Sequence, residues 1–266
     1  MHPMLNIGIR AARAAGNVIA RKIDRIDSVK IDRKQRSDFV TDVDQEAESE
    51  IIGILKKAYP DHSVLGEESG QLGATHNEYR WIIDPLDGTS NFIHGVPHMC
   101  VSIALEHKGR LDQAVIYDPL RQELFTASRG EGAWLDNKRL RVSKSSVMDA
   151  TLLGHNHPYR PGVDLKLHLA FLQHVTESAG AIRRTGSAAL DLAYLAAGRM
   201  DGVWAFGMQP WDLAAGALIV REAGGLINDA DGSDKWMESG NVIAGNPKVQ
   251  DMLMRGYRDV KKVNAA

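Results

Sequence analysis

Trp81-Ile82-Ile83-Asp84-Pro85-Leu86-Asp87-Gly88-Thr89-Ser90-Asn91 is the stretch that decides how the chain is read. Its apolar residues deliver Asp84 as the end of a strand, Pro85 fixes the backbone and bends it, and Asp87 stands ahead of the small residues Gly88-Thr89-Ser90. Two carboxylates beside the Leu86 backbone carbonyl supply the hard oxygen donors that Mg²⁺ prefers. Free backbone amides at the start of a turn suit a phosphate. Asp-Pro and Asp-Gly are also ordinary turn formers, and it is the apolar strand feeding both acids that brings the metal reading level with the plain one.

Working outward, Val64-Leu65 runs into Gly66-Glu67-Glu68-Ser69-Gly70, a second acidic strand end, where Glu67 is either a ligand or a surface acid. Asp212 follows Pro210-Trp211 and precedes the apolar Leu213–Val220, so it reads as a helix N-cap whose free oxygen can also serve a cation. Asp38, Asp42 and Asp44 are expected to enter a helix whose dipole they complement. Asp44 could in addition orient a metal-bound water, whereas Asp38 and Asp42 read as capping or surface residues. If Glu67, Asp84, Asp87 and Asp212 converge, neighbouring pairs repel by about 4 kcal/mol at ~4 Å and an effective dielectric near 20. Protonation or cations would relieve that, and cations are the simpler solution at neutral pH. The sequence has no Walker loop, dinucleotide fingerprint, His-Glu-x-x-His or Gly-x-Ser-x-Gly elbow, and its ten histidines lack zinc spacing.

The 266 residues, 44% of them hydrophobic and 25% charged, are ample for a core without disulfides, and the single Cys100 reads as a strand core residue in a reducing compartment. The net charge of −2 excludes a whole-molecule pull towards nucleic acid or lipid. Residues 1–36 carry nine basic side chains (Arg10, Arg13, Arg21, Lys22, Arg25, Lys30, Arg33, Lys34, Arg36) against Asp24, Asp27 and Asp32, a local +6 that reads as a solvated helix face or as a contact for nucleic acid or an acidic partner. No apolar run reaches membrane-spanning length, and Arg10 and Arg13 interrupt any secretory pattern, so a cytoplasmic protein is expected.

Helices are expected over Met4–Ile23, Val43–Ala58, Leu165–Ser178 and Ala188–Ala197, from Trp211 to the Gly224-Gly225 stop, and from Pro247 on. Strands are expected at Tyr79–Asp84, Val101–Glu106, Gln113–Tyr117, Glu123–Ala127, Thr151–Gly154, Gly202–Ala205, Leu226–Asn228 and Val242–Ala244. The interleaving predicts a layered α/β fold. One domain over residues 1–266 is expected, with Ser143–Asp149 the only candidate sub-domain seam.

Trp81–Asn91 and Trp211–Gly225 (WDLAAGALIVREAGG), supported by Gly66–Ser69 and Asp38–Asp44, resemble the two signature stretches of the inositol monophosphatase family. Met1–Asn17 and Arg183–Tyr194 look like its bacterial SuhB group, which is associated with inositol-1-phosphatase activity and with transcription antitermination complexes on ribosomal RNA operons. The resemblance implies an αβαβα five-layer sandwich of the inositol monophosphatase / fructose-1,6-bisphosphatase type and a lithium-sensitive, Mg²⁺-dependent phosphomonoesterase, usually a homodimer, with two or three ions per site. It implies Glu67, Asp84, the Leu86 carbonyl, Asp87 and Asp212 as metal ligands, and Asp44 as holding water or a third ion. It further implies Thr89 with Glu67 as the water-activating pair, Gly88-Thr89-Ser90 as the phosphate cradle, and Gly186-Ser187-Ala188, with Asp212, against the substrate. Ala205 stands where the family carries a Glu that grips ring hydroxyls, so a looser alcohol preference is expected. Fructose-1,6-bisphosphate and 3′-phosphoadenosine 5′-phosphate are the alternative substrates. A binding protein for the transcription machinery, contacting RNA polymerase or an antitermination complex, is the alternative class.

Overall fold

The computed structural model describes residues 2–26, 29–35, 38–75, 77–156 and 164–265. Asp27 and Arg36, counted in the basic N-terminal run, lie outside them. The first half runs α1 (Pro3–Ile23), β1 (Ile31–Gln35), β2 (Asp38–Thr41), α2 (Asp42–Ala58), β3 (Ser63–Gly66), β4 (Gly70–Leu72), β5 (Tyr79–Asp87) and α3 (Thr89–Ile93). It continues through β6 (Cys100–His107), β7 (Arg110–Asp118), β8 (Glu123–Ser128), β9 (Gly132–Leu135) and β10 (Lys138–Arg139). The second half contains β11 (Leu152–Asn156), α4 (Leu165–Thr176), β12 (Ala181–Arg183), α5 (Ala188–Ala196), β13 (Gly202–Ala205) and α6 (Pro210–Glu222). It closes with β14 (Leu226–Asn228), α7 (Trp236–Ser239), β15 (Val242–Gly245) and α8 (Pro247–Ala265).

An eight-stranded sheet in the order β10-β9-β8-β7-β6-β5-β3-β4 and a five-stranded sheet in the order β12-β11-β13-β15-β14 form the two β layers. Helices α1 and α2 cover the outer face of the first, α5 and α6 lie between the two, and α4 and α8 cover the second. This is the αβαβα sandwich. The helix sequences explain their places. An amphipathic helix shows one apolar stripe, as α1 does with Leu5, Ala12, Ala15 and Ile19 buried and Arg10, Arg13 and Arg21 exposed. Helix α6 is buried continuously from Leu213 to Val220, the requirement of a helix with a sheet on either side.

Strand β5 shows how the pleat delivers chemistry. Trp81 and Ile83 join the core under α1 and α2, while Ile82 joins the core around α5 and α6. By the same alternation Asp84 faces α6, between the sheets. The β5–β6 register shifts between Asp84 and Asp87, at Pro85, and Asp87 then pairs with Cys100. The core between the sheets draws on both halves of the chain, from Ile82 to Ala244.

Two expectations are corrected here. Asp38 does not enter the second helix: it opens β2, which pairs with β1 in a separate two-stranded ribbon. Asp212 is not the N-cap of its helix. Gln209 holds that position, and Asp212 sits three residues on, where its Oδ2 accepts the Gln209 N–H at 2.7 Å.

Candidate active site

Four connections bring the acidic residues to one place. The Glu67 N–H donates to the Ile83 carbonyl at 3.2 Å, setting the turn after β3 beside the end of β5. Glu48, buried on α2, accepts the Glu68 N–H at 3.0 Å and braces that turn from below. Asp84 pairs across the ladder with Ser102, whose hydroxyl donates to the Trp211 carbonyl at 3.1 Å, fixing the start of α6 and so Asp212 next to Asp84. Asp87 reaches across to α5: its Oδ2 accepts Ser187 Oγ at 2.7 Å and the Ala189 N–H at 2.7 Å.

The electrostatics register the convergence. Burial, then the charges of Glu67, Asp87 and Asp212, push the Asp84 carboxyl well above the ordinary range. Burial and Asp212 push Asp87 up to about 7, against the Ser187 and Ala189 hydrogen bonds that favour its charged form. The donor set is all oxygen, strongly negative and mutually repelling, the chemistry that fits a hard divalent cation. As they stand the side chains do not close into a cage: among the described residues, no group of three or more His, Cys, Asp and Glu could hold a metal ion.

Asp44, fully buried at the first turn of α2, accepts Thr41 N and Thr41 Oγ1 on Oδ2 at 2.8 and 2.6 Å. Its Oδ1 lies 3.0 Å from Thr89 Oγ1, which stands 3.1 Å from the Leu86 carbonyl. Burial raises the Asp44 carboxyl, with these hydrogen bonds pulling the other way. Asp44 therefore meets the pocket through Thr89. Gly88 precedes Thr89 at φ +104, a conformation glycine adopts without strain, and a Cβ there would press on the His98 carbonyl at 3.1 Å. Ser90 is exposed beside it.

The resemblance set Ser187 against the substrate, and the structure places its side chain elsewhere. Ser187 has no exposed surface, caps α5 and donates to Asp87, so its hydroxyl supports a carboxylate instead of meeting a ring. Ala188 is also buried, whereas Gly186 is exposed. Ala205 ends β13 with 1% exposure, within the apolar core around α5 and α6. Sequence reading missed Glu48. The signal was its place four residues after Asp44, on the apolar face of α2 with Val43, Ala47 and Ile51.

A five-layer αβαβα sandwich with acids from a strand end, a turn and a helix start gathered between its sheets defines a class of layered phosphatases. The chain belongs to the inositol monophosphatase family, whose model matches residues 1–262. It is 51% identical over 258 residues to the Nus factor SuhB of Pseudomonas aeruginosa, covering 96% of this chain and 95% of that one. The crystal structure of the extragenic suppressor protein suhB from Bartonella henselae superposes with a TM-score of 0.93 at 41% identity, over 96% of this chain and 98% of that one. The inositol monophosphatase from Anabaena (Nostoc) sp. PCC 7120 gives 0.86 at 36% identity, over 99% of this chain and 98% of the other. Among the described residues, no helix is long and apolar enough to cross a membrane.

Proposed function

We propose that this phosphatase is a Mg²⁺-dependent phosphomonoesterase of inositol-1-phosphate or a similar small polyol phosphate. The observation that carries the reading is the convergence of Glu67, Asp84, Asp87 and Asp212: burial and then the three neighbouring carboxylates raise Asp84, and burial and then Asp212 lift Asp87 to about 7. Those four and the Leu86 carbonyl would hold two or three Mg²⁺. Bound there, the ions would acidify a water and stabilise the developing charge on phosphate and leaving alcohol.

The protein's own groups do the rest. Thr89 commits its single proton to Asp44 or to the Leu86 carbonyl, which leaves its lone pairs to accept from the attacking water. Glu67 takes that water's proton as it attacks phosphorus in line; the ester P–O bond breaks with no covalent intermediate, and the leaving oxygen takes a proton from solvent water. The Gly88–Ser90 amides bind the phosphate oxygens. Gly186, Ala188 and Asp212 border the alcohol, and Ala205 offers no acceptor for its hydroxyls, so preference among alcohols is loose. A panel of phosphomonoesters including fructose-1,6-bisphosphate and 3′-phosphoadenosine 5′-phosphate, assayed with and without Mg²⁺ and Li⁺, tests this. Phosphate release that ignores Mg²⁺ removal would overturn it.

A second role is supported by the names of the curated relatives, which are Nus factors. We infer a contact with the transcription machinery that does not need catalysis. A pull-down with the wild type and Asp87→Asn tests it: RNA polymerase retained by both is expected, and loss in the variant ties the two roles together. Dimerisation, lithium sensitivity and a cytoplasmic location belong to the same reading.

A further inference from the structure

Asn91 ends the signature stretch, and among the described residues it makes no hydrogen bond to the four carboxylates. Its Nδ2 donates instead to two main-chain carbonyls, His98 O at 2.6 Å and Thr185 O at 2.9 Å, which uses both of its hydrogens. The two carbonyls come from the approach to β6 and from the lead-in to α5. Gly186, at φ +94, closes directly on the amide: a Cβ there would fall 2.9 Å from Nδ2 and 3.0 Å from Oδ1 of Asn91. From the other side the fully buried Asp191 accepts Thr185 Oγ1 at 2.5 Å, with Asn156 Nδ2 at 3.5 Å and His98 Nε2 at 3.6 Å.

Thr185 is thus gripped twice, by its carbonyl from Asn91 and by its hydroxyl from Asp191. Two residues on, Ser187 begins the pair of donors that fix Asp87 Oδ2. Oδ1 of Asp87 has no protein donor among the described residues, so its direction follows from the position of Oδ2. A shift of the lead-in would turn the carboxylate.

We propose that Asn91 and the Thr185–Asp191 pair are positioning residues: by clamping the lead-in to α5 they keep Ser187 Oγ and Ala189 N on Asp87 and aim its other oxygen into the acidic pocket. The consequence for ion binding rests on the metal reading above; the clamp itself does not. Buried partners that orient a ligand typically carry a tenfold to hundredfold share of affinity or rate.

Thr185→Val removes the hydroxyl at constant shape, Thr185→Ser keeps it, and Asn91→Ala removes the clamp. Three readouts apply: exchange of the Ala189 backbone amide in ion-free protein, Mn²⁺ affinity from the resonance of free Mn²⁺, and kcat against KM. Thr185→Val and Asn91→Ala are expected to speed Ala189 exchange, weaken Mn²⁺ binding by about tenfold or more, and lower kcat by a similar factor. KM should move by less than about threefold, and Thr185→Ser should restore all three. A packing role alone would lower thermal stability, speed the exchange of core amides no less than that of Ala189, and leave Mn²⁺ affinity at the parent value. That result in folded Thr185→Val overturns the proposal. Should Asn91→Ala not fold, the two Thr185 variants decide. Should the parent bind no Mn²⁺, the metal reading falls, and Ala189 exchange alone decides the clamp.

Discussion

Ser187 Oγ donates to Asp87 Oδ2 at 2.7 Å, joining residues 100 positions apart in the chain. With the Ala189 N–H on the same oxygen, the start of α5 is spent on holding one side of one carboxylate. Those contacts favour the charged form, yet burial and Asp212 outweigh them and Asp87 stands at about 7. The fold thus places an acid whose charged form its own surroundings disfavour. Placement comes from the protein, and compensation for the charge must come from elsewhere.

Asp87→Asn and Asp212→Asn each remove one negative donor at constant shape. Phosphate release is expected to fall by at least about a hundredfold, or 2.7 kcal/mol of barrier. Far-UV circular dichroism should be unchanged. Wild-type turnover in both variants would remove these acids from the site.

The raised carboxyls give the ion-free protein an unusual pH dependence. A folded-state value of about 7 against 3.8 for the unconstrained group means that the native state binds the extra proton, so stability falls as pH rises through that window. This is the reverse of a salt-bridged aspartate. Melting temperature in chelator should drop between about pH 4 and 7. Asp87→Asn should flatten the drop, and Mg²⁺ should oppose it at pH 8. A melting temperature that rises over the same range would contradict the assignment.

Thr89→Val keeps the shape and loses the hydroxyl that joins Asp44 to the Leu86 carbonyl. It should lower kcat by about a hundredfold with KM little changed, the pattern of a group used in the transition state. Thr89→Ser should recover most of the loss. Equal rates for Val and Ser at this position would take the hydroxyl out of the reaction.

The sequence made β5 legible because its apolar run, its proline and its pleat parity agree, and Asp84 follows from Ile82 by alternation alone. Helices α1, α5 and α6 were legible from apolar spacing for the same reason. The polar ribbon of Ile31–Gln35 and Asp38–Thr41 was not, because its sequence alternates no apolar face and it belongs to neither main sheet. Asp212 was misplaced by three residues because an acid suits both the N-cap and the N3 position of a helix start, and only the Gln209 N–H separates them. The burial of the Ser187 hydroxyl was not legible, because nothing in Gly186-Ser187-Ala188 announces it. That property comes from Asp87 and Cys100, far away in sequence.

The seam near Ser143–Asp149 carries a prediction of its own. The middle core takes residues from both sides of it, and we propose that the two halves fold as one domain. Ion-free protein should melt in a single transition followed alike by far-UV signal and tryptophan fluorescence. Two separated transitions would make the seam a real boundary.

Anomalous diffraction from crystals soaked in Mn²⁺ reaches the heart of the matter most directly. Peaks bounded by the carboxylates of Glu67, Asp84, Asp87 and Asp212 and by the Leu86 carbonyl are expected, with the side chains drawn in around them. A well-diffracting soaked crystal with no peak there, or with those carboxylates turned away from one another, would contradict a metal-dependent phosphatase at this site.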